Sequence, residues 1–434
     1  MSLFDTDPPL PVETLHIQNF AGITEATIEL SRMNVFIGPQ ASGKSVCAKL
    51  FFYFREIVRQ IFKQVYEDLD DHEINKRNLI EFYEIFPVDE WGAGNFRLEY
   101  RYGNIKIGIV KAGDETLGIV LSSSDALIGL LESLREARSE PMFDPNDPES
   151  VEDEIKVLSM NFAQDLKAVG SLTLQNVNNF INAGRSFFTV FKNITFTLQV
   201  DRISVDPFLL QTGRNYERAK SDYFNQPQGF NEKYVRIQER IGKILGGEYQ
   251  VHGRREYIRH HDRRVVSIEK SSSGQQEFLP LALILSMIGR DQNTAQSTTL
   301  FVEEPEAHLY PTAQREMVHL LCTALDLTSP ESTSQCVLTT HSPYILTALN
   351  NLMYGAKIMR EFPEREKEVR KILGETDLVH PEHVRAYHFE DGGVRPLMDT
   401  ETGIILADAI DEVSGSLAAE FEALADVEFT EKPL

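Results

Sequence analysis

The chain has 434 residues, 42% hydrophobic and 25% charged, which suffices for two or three lobes with cores of their own. Its formal charge of −23 excludes a protein that coats nucleic acid through a globally basic surface. The acidic N-terminal segment lacks the pattern of a secretory signal, and the apolar stretch Phe278–Ile288 falls short of the roughly 20 residues of a membrane span. The three cysteines lack Cys-x-x-Cys spacing; they are Cys47, Cys322 and Cys336. We therefore expect a cytoplasmic protein with neither membrane contact nor disulfides.

The N-terminal part predicts strands followed by one long helix. Two amphipathic strands are expected at residues 15–20 and 26–30, and a short buried strand at Val35–Ile37 ends at a glycine. From Lys44 to Val65 apolar residues recur every three or four positions, the pattern of a helix. Alternation around Gly103-Asn104 then predicts a hairpin over 96–109, with a third strand near 117–121.

The middle of the chain is mainly helical in pattern. Helices are expected at 125–138 and 150–169, separated by an acidic, proline-bearing linker, and a last helix stops at Gly246-Gly247. We therefore divide the chain into an N-terminal half with an antiparallel β lobe, an inserted helical lobe and a C-terminal half, at 1–120, 121–247 and 248–434.

The C-terminal half alternates strands with helices, which predicts a parallel α/β sheet. The expected order is strand patterns to 268, a helix at 275–290, a strand at 300–302, a helix at 313–327, a strand at 337–338 and another helix. Residues 399–434 are strongly acidic, with apolar residues from Ile404 to Leu424 spaced for an amphipathic helix. Its acidic face either solubilises the protein or binds a basic partner.

A phosphate-loop (P-loop) pattern, G-x-x-x-x-G-K-[ST], stands between the buried strand and the long helix. It reads Gly38, Pro39, Gln40, Ala41, Ser42, Gly43, Lys44 and Ser45, followed by Val46. Backbone N–H groups of such a loop surround a phosphate at the positive end of the helix. Lys44 would reach the β- and γ-phosphates of ATP and Ser45 would hold Mg²⁺. The alternative is an ordinary glycine-rich turn.

Two further strands end in polar residues suited to the same nucleotide. Glu303 and Glu304 close the strand at 300–302, where Glu303 would hold Mg²⁺ through water and Glu304 would deprotonate the attacking water. His341 closes the next strand and could donate a hydrogen bond to the γ-phosphate. We expect these two strands to be neighbours, because one helix connects them. A solvated strand end and a structural histidine are the alternatives.

A small polar loop at residues 271–276 opens the apolar helix that follows it. By itself it is an ordinary N-cap. With the P-loop present, Ser272, Gly274 and Gln275 form a second phosphate-binding surface. Because one nucleotide rarely needs two such surfaces, we expect this one to serve a facing protomer.

These motifs, in this order, resemble the ABC-type ATPases, and more narrowly the soluble branch of RecF-like, SMC-like and OLD-like proteins. The narrower resemblance is carried by residues 303–311, 339–343 and 272–276. It implies an α/β fold and an ATP-sandwich homodimer, in which Lys44, Ser45, the Walker B residues Glu303 and Glu304, and His341 of one protomer face the signature residues Ser272 and Gly274 of the other. Higher oligomers stay possible.

Other segments qualify that resemblance. Glu303 replaces the aspartate usual in transporter-type members, which disfavours a membrane transporter. The glutamine that contacts the metal in the family has only Gln164 and Gln175 as candidates. Residues 181–186 look like a variant of the Ile-Pro-Ala-x-Arg segment of bacterial anti-phage ATPases, with Asn182 in place of proline.

The resemblance does not extend to a fused nuclease. OLD-like proteins usually continue into a Toprim nuclease domain with a strand-borne Asp-x-Asp, whereas the Asp-x-Asp at Asp68 and Asp70 falls in a helical stretch. A nuclease effector of Toprim or HNH type would therefore be a separate protein, as in two-gene systems such as PARIS and Septu.

A local basic patch precedes the signature loop. It contains Arg254, Arg255, Arg259, Arg263 and Arg264. These side chains could contact nucleic-acid phosphates or pair with an acidic protein surface.

Three hypotheses follow. The first is an ATPase that acts as sensor or scaffold for an effector in anti-phage defence. The second is a RecF-like or SMC-like ATPase that clamps DNA in its maintenance. The third is an ATP-locked assembly that hydrolyses ATP too slowly for turnover to matter.

Overall fold

An eleven-stranded mixed sheet organises the chain. From one edge to the other its strands are β6 (Ile119–Ser123), β5 (Ile105–Lys111), β4 (Phe96–Tyr102), β1 (Glu13–Phe20), β2 (Ile23–Leu30), β14 (Gly393–Pro396), β13 (Val384–Glu390), β3 (Met33–Ile37), β12 (Gln335–Thr340), β11 (Thr298–Glu303) and β7 (Val177–Ile181). It is seen in a computed structural model, which describes residues 12–92, 94–111, 119–139, 148–169, 172–190, 206–224, 231–253, 255–290, 297–327, 329, 332–399, 401–406 and 419–420.

One half of the sheet is an antiparallel lobe. Its strands are β1 Glu13–Phe20, β2 Ile23–Leu30, β4 Phe96–Tyr102, β5 Ile105–Lys111 and β6 Ile119–Ser123. Alternate residues are buried along β1, β2 and β4, as expected for a sheet with one solvent-facing side. The predicted hairpin is confirmed, since Tyr102 pairs with Ile105 across its turn.

The other half is a parallel sheet. Its strands are β3 Met33–Ile37, β7 Val177–Ile181, β11 Thr298–Glu303, β12 Gln335–Thr340 and β13 Val384–Glu390. The short β14 Gly393–Pro396 runs antiparallel to β13 and meets β2 at Gly393, which joins the two halves. The expected α/β class with an antiparallel lobe is confirmed.

Helices lie on both faces of the parallel sheet and beside the antiparallel lobe. The helices of the described residues are α1 Lys44–Tyr66, α2 Asp71–Ile85, α3 Asp125–Ser139, α4 Pro148–Ala168, α5 Ser186–Val190, α6 Pro207–Phe224, α7 Glu232–Leu245, α8 Ser273–Arg290, α9 Pro311–Leu325, α10 Pro343–Glu361 and α11 Glu366–Leu373. The helix predicted from Lys44 is α1, and α7 ends at Gly246, whose φ of 64° suits glycine.

The core lies on both sides of β11 and β12. Phe301 and Val337 pack with α1 and the antiparallel lobe, while Leu300 and Leu338 pack with α8, α9 and α10 on the opposite face. Both strands are fully buried for this reason. Burial on two faces is what a central parallel strand requires, and it leaves the strand ends as the accessible positions.

A separate three-stranded sheet precedes the signature loop. Its strands are β8 Gly247–His252, β9 Arg255–His260 and β10 Val265–Ser267, in the antiparallel order β10-β9-β8. A 3-10 turn over Ile268–Lys270 then leads into α8. Arg254 lies outside the described residues.

Three parts of the structure differ from the sequence-based expectations. Strand β7 lies within 121–247 yet belongs to the main sheet, and β13 and β14 were not predicted. Residues 401–406 form a turn and a bridge between Met398 and Ile405, so the expected C-terminal helix does not begin at Ile404. Beyond Leu406 only Ala419 and Glu420 are described, as helical. The three-way division of the chain stays a prediction.

A helix that spans a lipid bilayer is both long and apolar. Among the helices in the described ranges, none combines the length and the apolar character of a transmembrane segment.

Candidate active site

Four parallel strands end side by side at one edge of the sheet. Ile37 pairs with Thr340, Thr339 with Glu303, and Val302 with Ile181. The P-loop, His341, Glu304 and Asn182 therefore follow adjacent strand ends. The expected neighbourhood of the acidic strand and the histidine strand is confirmed. This edge is where ligands bind in open parallel sheets.

Two glycines let the P-loop pass close to neighbouring residues. A Cβ on Gly38, whose φ is 153°, would lie 2.1 Å from the carbonyl oxygen of Phe389 in β13. Gly43 has a φ of 98° at the N-cap of α1, and a Cβ there would lie 2.8 Å from Ile23. Only glycine fits these two positions without a shift of the backbone around it.

Lys44 is buried within its own loop. Its Nζ donates to the carbonyl oxygens of Gly38 at 2.9 Å and Pro39 at 2.5 Å, and lies 3.3 Å from Oγ of Ser42. Burial lowers the pKa of Lys44, while the charges of Glu304 and Glu306 oppose that shift. The lysine and these two carboxylates therefore share one electrostatic environment.

Glu303 has a carboxylate oxygen suited to a cation. The residue is 5% exposed, and its Oε2 accepts from the backbone N–H of Ala183 at 3.2 Å. Its other oxygen, Oε1, has no hydrogen-bond partner among the described residues. A buried, unpartnered carboxylate oxygen fits the hard-oxygen preference of Mg²⁺. Ser45, in the first turn of α1, is exposed and supplies a hydroxyl of the same ligand class.

Within the described ranges no three His, Cys, Asp or Glu side chains cluster to hold a metal ion by themselves. A cation at Glu303 would therefore depend on the nucleotide's phosphates as well, which is how Mg²⁺ binds in phosphoryl-transfer sites.

Glu304 adopts an uncommon backbone conformation and faces the histidine. Its φ is 43°, in the left-handed region that few residues other than glycine occupy. Its N–H donates to the carbonyl oxygen of Thr339 at 2.9 Å, and its Oε1 lies 3.2 Å from Nε2 of His341. Both side chains are partly exposed, which leaves them accessible to a water and a phosphate.

Glu306 is a site residue that the sequence reasoning missed. Its Oε1 accepts from Oγ1 of Thr340 at 2.5 Å and from the backbone N–H of His341 at 2.8 Å. Burial raises its pKa, against the effect of these hydrogen bonds. Glu306 thus ties the loop after β11 to the histidine. The signal was available, because it is the third carboxylate of the Glu-Glu-Pro-Glu run.

Arg185 is the second missed residue. It is 1% exposed and donates from Nη1 to the carbonyl oxygen of Glu303 at 2.6 Å and from Nη2 to that of Glu304 at 3.0 Å. It also contacts Glu277 of α8. In sequence, residues 181–186 carry only a family resemblance, whereas the structure gives this arginine a physical role.

The signature loop is exposed at the start of α8. Oε1 of Gln275 accepts from the N–H of Ser272 at 3.0 Å, and its Nε2 donates to the carbonyl oxygen of Leu245 at 2.6 Å. A Cβ on Gly274 would lie 2.6 Å from the carbonyl oxygen of His308, so the helix abuts the loop after β11. Across the described ranges, no hydrogen bond joins Ser272 or Gln275 to the P-loop of the same chain.

Neither glutamine candidate lies at this edge. Gln164 is on α4, and Gln175 precedes β7 at the opposite, amino-terminal end of that strand. Asn182 instead follows the carboxyl end of β7, beside Glu303.

Two other sequence signals are placed away from the strand ends. Arg255, Arg259, Arg263 and Arg264 are exposed on or beside the three-stranded sheet, with Arg264 paired to Asp262 at 2.6 Å. Asp68 lies in the turn after α1, and Asp70 caps α2 through the N–H of Glu73. Asp70 is therefore a helix cap, while Asp68 is a turn residue paired with Arg138.

One protein-family model matches part of the chain. Residues 146–346 match the AAA ATPase domain family, a segment that contains the signature loop, Glu303, Glu304 and His341 and begins after the P-loop. No curated protein sequence matches the chain.

Solved structures of SMC heads superpose loosely on the chain. The SMC head domain from Thermotoga maritima is 14% identical at a TM-score of 0.37, over 90% of this chain and 100% of that one. An SMC head bound to the C-winged helix domain of ScpA is 11% identical, with a TM-score of 0.41 over 90% of this chain and 98% of that one. An Smc head with an extended coiled coil, bound to the C-terminal domain of ScpA derived from Pyrococcus furiosus, is 12% identical, with a TM-score of 0.37 over 93% of this chain and 99% of that one.

The match of residues 146–346 to an ATPase domain agrees with the site at the sheet edge, where the P-loop, the acidic strand end and His341 meet. The chain is an ATPase.

Proposed function

We propose that water attacks the γ-phosphate of ATP in line, with Glu304 as the general base. The carboxylate beside Nε2 of His341 is the observation that supports this role, because it is accessible and held in a fixed backbone conformation. Lys44 binds the β- and γ-phosphates, and His341 donates a hydrogen bond to the γ-phosphate. Val46 and the rest of the P-loop, residues 38–45, bind the phosphates through backbone N–H groups.

Ser45 and Glu303 would hold Mg²⁺, which supplies charge neutralisation at the phosphates when bound. The unpartnered Oε1 of Glu303 supports this assignment. Glu303 orients its carboxylate through the N–H of Ala183, which occupies the other oxygen.

The second part of the proposal is a homodimer with ATP between the protomers. Ser272 is exposed at the start of α8, and its hydroxyl contacts Oε1 of Gln275 at 3.1 Å. Ser272 therefore presents the N-terminus of α8 outward, with Gln275 half-buried and Gly274 buried beside it. This end of the helix suits the phosphates of a nucleotide bound to a second copy.

The third part is the biological role. We propose that the ATP-bound dimer is the sensor or scaffold for a separate effector, a nuclease by class, in bacterial anti-phage defence. The support is the segment at 181–186, which resembles anti-phage ATPases and whose arginine holds the catalytic loop. Asp68 lies in a turn and Asp70 caps a helix, which supports assigning the nuclease to a separate protein.

The test is affinity purification of the Glu304→Gln variant from its native host with Mg-ATP, in parallel with Lys44→Ala. We expect Glu304→Gln to retain a nuclease encoded beside it, and Lys44→Ala to lose that nuclease because no ATP holds the dimer. Recovery of the same proteins with both variants contradicts an ATP-controlled scaffold.

One observation favours a second candidate, a DNA-maintenance clamp. The exposed arginines of the three-stranded sheet directly precede the signature loop, so a closed dimer would bring two such patches near its interface. Salt-sensitive, ATP-dependent DNA binding that disappears when Arg255, Arg259, Arg263 and Arg264 become glutamine would support the clamp. Neutralising the exposed Arg360 and Arg365, which lie about 100 residues further along the chain, is the control.

A further inference from the structure

We propose that Arg185 is a positioning residue that fastens the backbone of Glu304 to the signature helix α8 of the same protomer. The catalytic base of one site thereby responds to the helix that contacts the nucleotide of the other site. This inference rests on the proposed function, because only in an ATP-sandwich dimer do the two ends of one protomer belong to different sites.

The first end of the link is the carboxyl end of β11. The Arg185 guanidinium donates to the carbonyl oxygens of Glu303 and Glu304 at 2.6 and 3.0 Å, and to that of Asn182 at 3.2 Å. These are backbone contacts, so they fix the course of the chain rather than one side chain. Both acidic residues of the site are therefore positioned by one buried cation.

The second end is Glu277, one turn into α8. Its Oε1 accepts from the N–H of Arg185 and its Oε2 from the N–H of Ser186, both at 2.9 Å, and Nε of Arg185 lies 3.3 Å from Oε1. Burial alone would raise the pKa of Glu277, but the charge of Arg185 and these N–H groups outweigh it and lower the pKa. Both side chains of the pair are buried, at 1% and 2% exposed.

Glu304 needs this support because of its backbone. A non-glycine residue in the left-handed region costs on the order of 1 kcal/mol, and the surroundings must hold it there. The N–H of Glu304 donates to Thr339, and its carbonyl oxygen accepts from Arg185 and from the N–H of Ala307 at 3.0 Å. Arg185 also contacts Glu277 of α8, which ties Glu304 to that helix.

The link is short. Gly274 belongs to the signature loop and abuts His308, Glu277 follows it on the same helix, and Arg185 bridges from Glu277 to Glu304. A shift of α8 when Ser272 meets the partner's nucleotide would therefore move a charged pair that cannot lose its contacts cheaply, since an unpaired buried charge costs several kcal/mol. Coupling requires such a physical connection between two sites.

The chain also contains a matched control pair. Arg55 and Glu13 form a second buried arginine–glutamate pair, 0% and 1% exposed, and Nη1 of Arg55 donates to Oγ1 of Thr299 at 2.6 Å. Thr299 lies at the amino end of β11, whereas Arg185 acts at its carboxyl end. Arg55→Lys and Glu13→Gln therefore disturb the same strand with the same chemistry, away from the site.

The first measurement is hydrogen exchange in the nucleotide-free protein. The reporters are the amides of Glu304 and Ala307, neither of which contacts Glu277. We expect Glu277→Gln and Arg185→Lys to speed their exchange roughly tenfold, since they loosen a locally held segment, and we expect Glu13→Gln and Arg55→Lys to leave it unchanged. Unchanged exchange at Glu304 and Ala307 in Glu277→Gln overturns the inference.

The second measurement is steady-state turnover with ATP binding measured separately. Arg185→Lys and Glu277→Gln should lower kcat on the order of 10- to 100-fold through misplacement of Glu304, with the Kd for ATP within about threefold. The double variant should be no slower than the slower single one. Equal losses of kcat in the Arg55 and Glu13 variants would reduce Arg185 to a stabilising residue and overturn its positioning role.

The two measurements distinguish a failure of this inference from a failure of the proposed function. If the wild-type protein binds no ATP, the proposed function fails, while the exchange measurement still decides whether α8 is coupled to Glu304. If ATP is hydrolysed normally by Arg185→Lys, the ATPase stands and the coupling is wrong.

Discussion

Oε1 of Glu304 lies 3.2 Å from Nε2 of His341, although the two residues follow different strands. The pairing of β11 with β12 brings them together, and Glu306 fixes the backbone of His341 to the same loop. The proposed base and the proposed phosphate-binding group are thus held in place by one frame, formed by the paired strands β11 and β12 and by Glu306. Such preorganisation is what electrostatic stabilisation of a developing charge requires.

Replacement of His341 tests the role of that frame. In His341→Ala the hydrogen-bond donor to the γ-phosphate is lost, so we expect kcat to fall on the order of 100-fold with little change in the Kd for ATP. His72→Ala, on the exposed surface of α2, should keep wild-type turnover. Wild-type kcat in His341→Ala would remove the histidine from the mechanism.

Gly274→Ala tests the contact between the signature helix and the loop after β11. The new Cβ would meet the carbonyl oxygen of His308 at 2.6 Å, so α8 must shift. We expect turnover to fall about tenfold or more while ATP still binds the P-loop.

Gly129→Ala is the matched control for that change. Gly129 is also within a helix, and nothing lies within 4 Å of its Cβ position. This variant should be active and more stable by roughly 0.5–1 kcal/mol, measured by urea unfolding. Equal turnover in the two alanine variants would show that the close approach at Gly274 is unimportant.

Arg55→Ala should destabilise the protein strongly. The change leaves Glu13 buried without its cation, and Arg55 also donates to Thr299 and Gln335. We expect a loss of about 3–5 kcal/mol in the free energy of unfolding. Arg360→Ala, which breaks a pair with Glu382 in which both side chains are 52% exposed, should lose less than about 1 kcal/mol. Similar losses in both would mean that Arg55 is not a structural anchor.

His319 should make stability pH-dependent. Burial, with the nearby charge of Arg240, lowers the pKa of His319 to about 4. Between pH 6.5 and 4, His319 is protonated in the unfolded chain but neutral in the folded protein. The histidine therefore stabilises the folded state fully above this range, and this stabilisation is lost as the pH falls through it.

The contribution of His319 is on the order of 2–4 kcal/mol. The measurement is the free energy of unfolding in urea at pH 7 and at pH 4.5. The loss of stability between these two pH values should shrink by this amount in His319→Gln and stay as in the wild type in His72→Gln. An unchanged pH dependence in His319→Gln would show that this histidine is not held neutral.

Much of the site could be predicted because its residues lie within contiguous strand–loop–helix segments. The P-loop, Glu303, Glu304 and His341 each follow a short apolar strand, and parallel strands bring such ends to one edge. The spacing of each segment therefore determined where its polar residues lie in the fold.

Strand β7 could not be predicted because its polar residues break the apolar pattern that indicates a buried strand. Asn178 and Asn179 interrupt the apolar pattern, yet Asn178 donates to Glu56 and Asn179 accepts from Asn215 inside the protein. Their partners are distant in sequence. Arg185 was missed for the same reason, since its contacts to Glu277 and Glu304 exist only after the chain has folded.

The measurement that tests the ATP sandwich most directly is the mass of the Glu304→Gln variant in solution, by sedimentation equilibrium, with Mg-ATP and with Mg-ADP. The account predicts a dimer with ATP and a monomer with ADP, and a monomer with either nucleotide for Glu304→Gln carrying Lys44→Ala. A Glu304→Gln protein that stays monomeric while its P-loop is saturated with ATP would contradict the account.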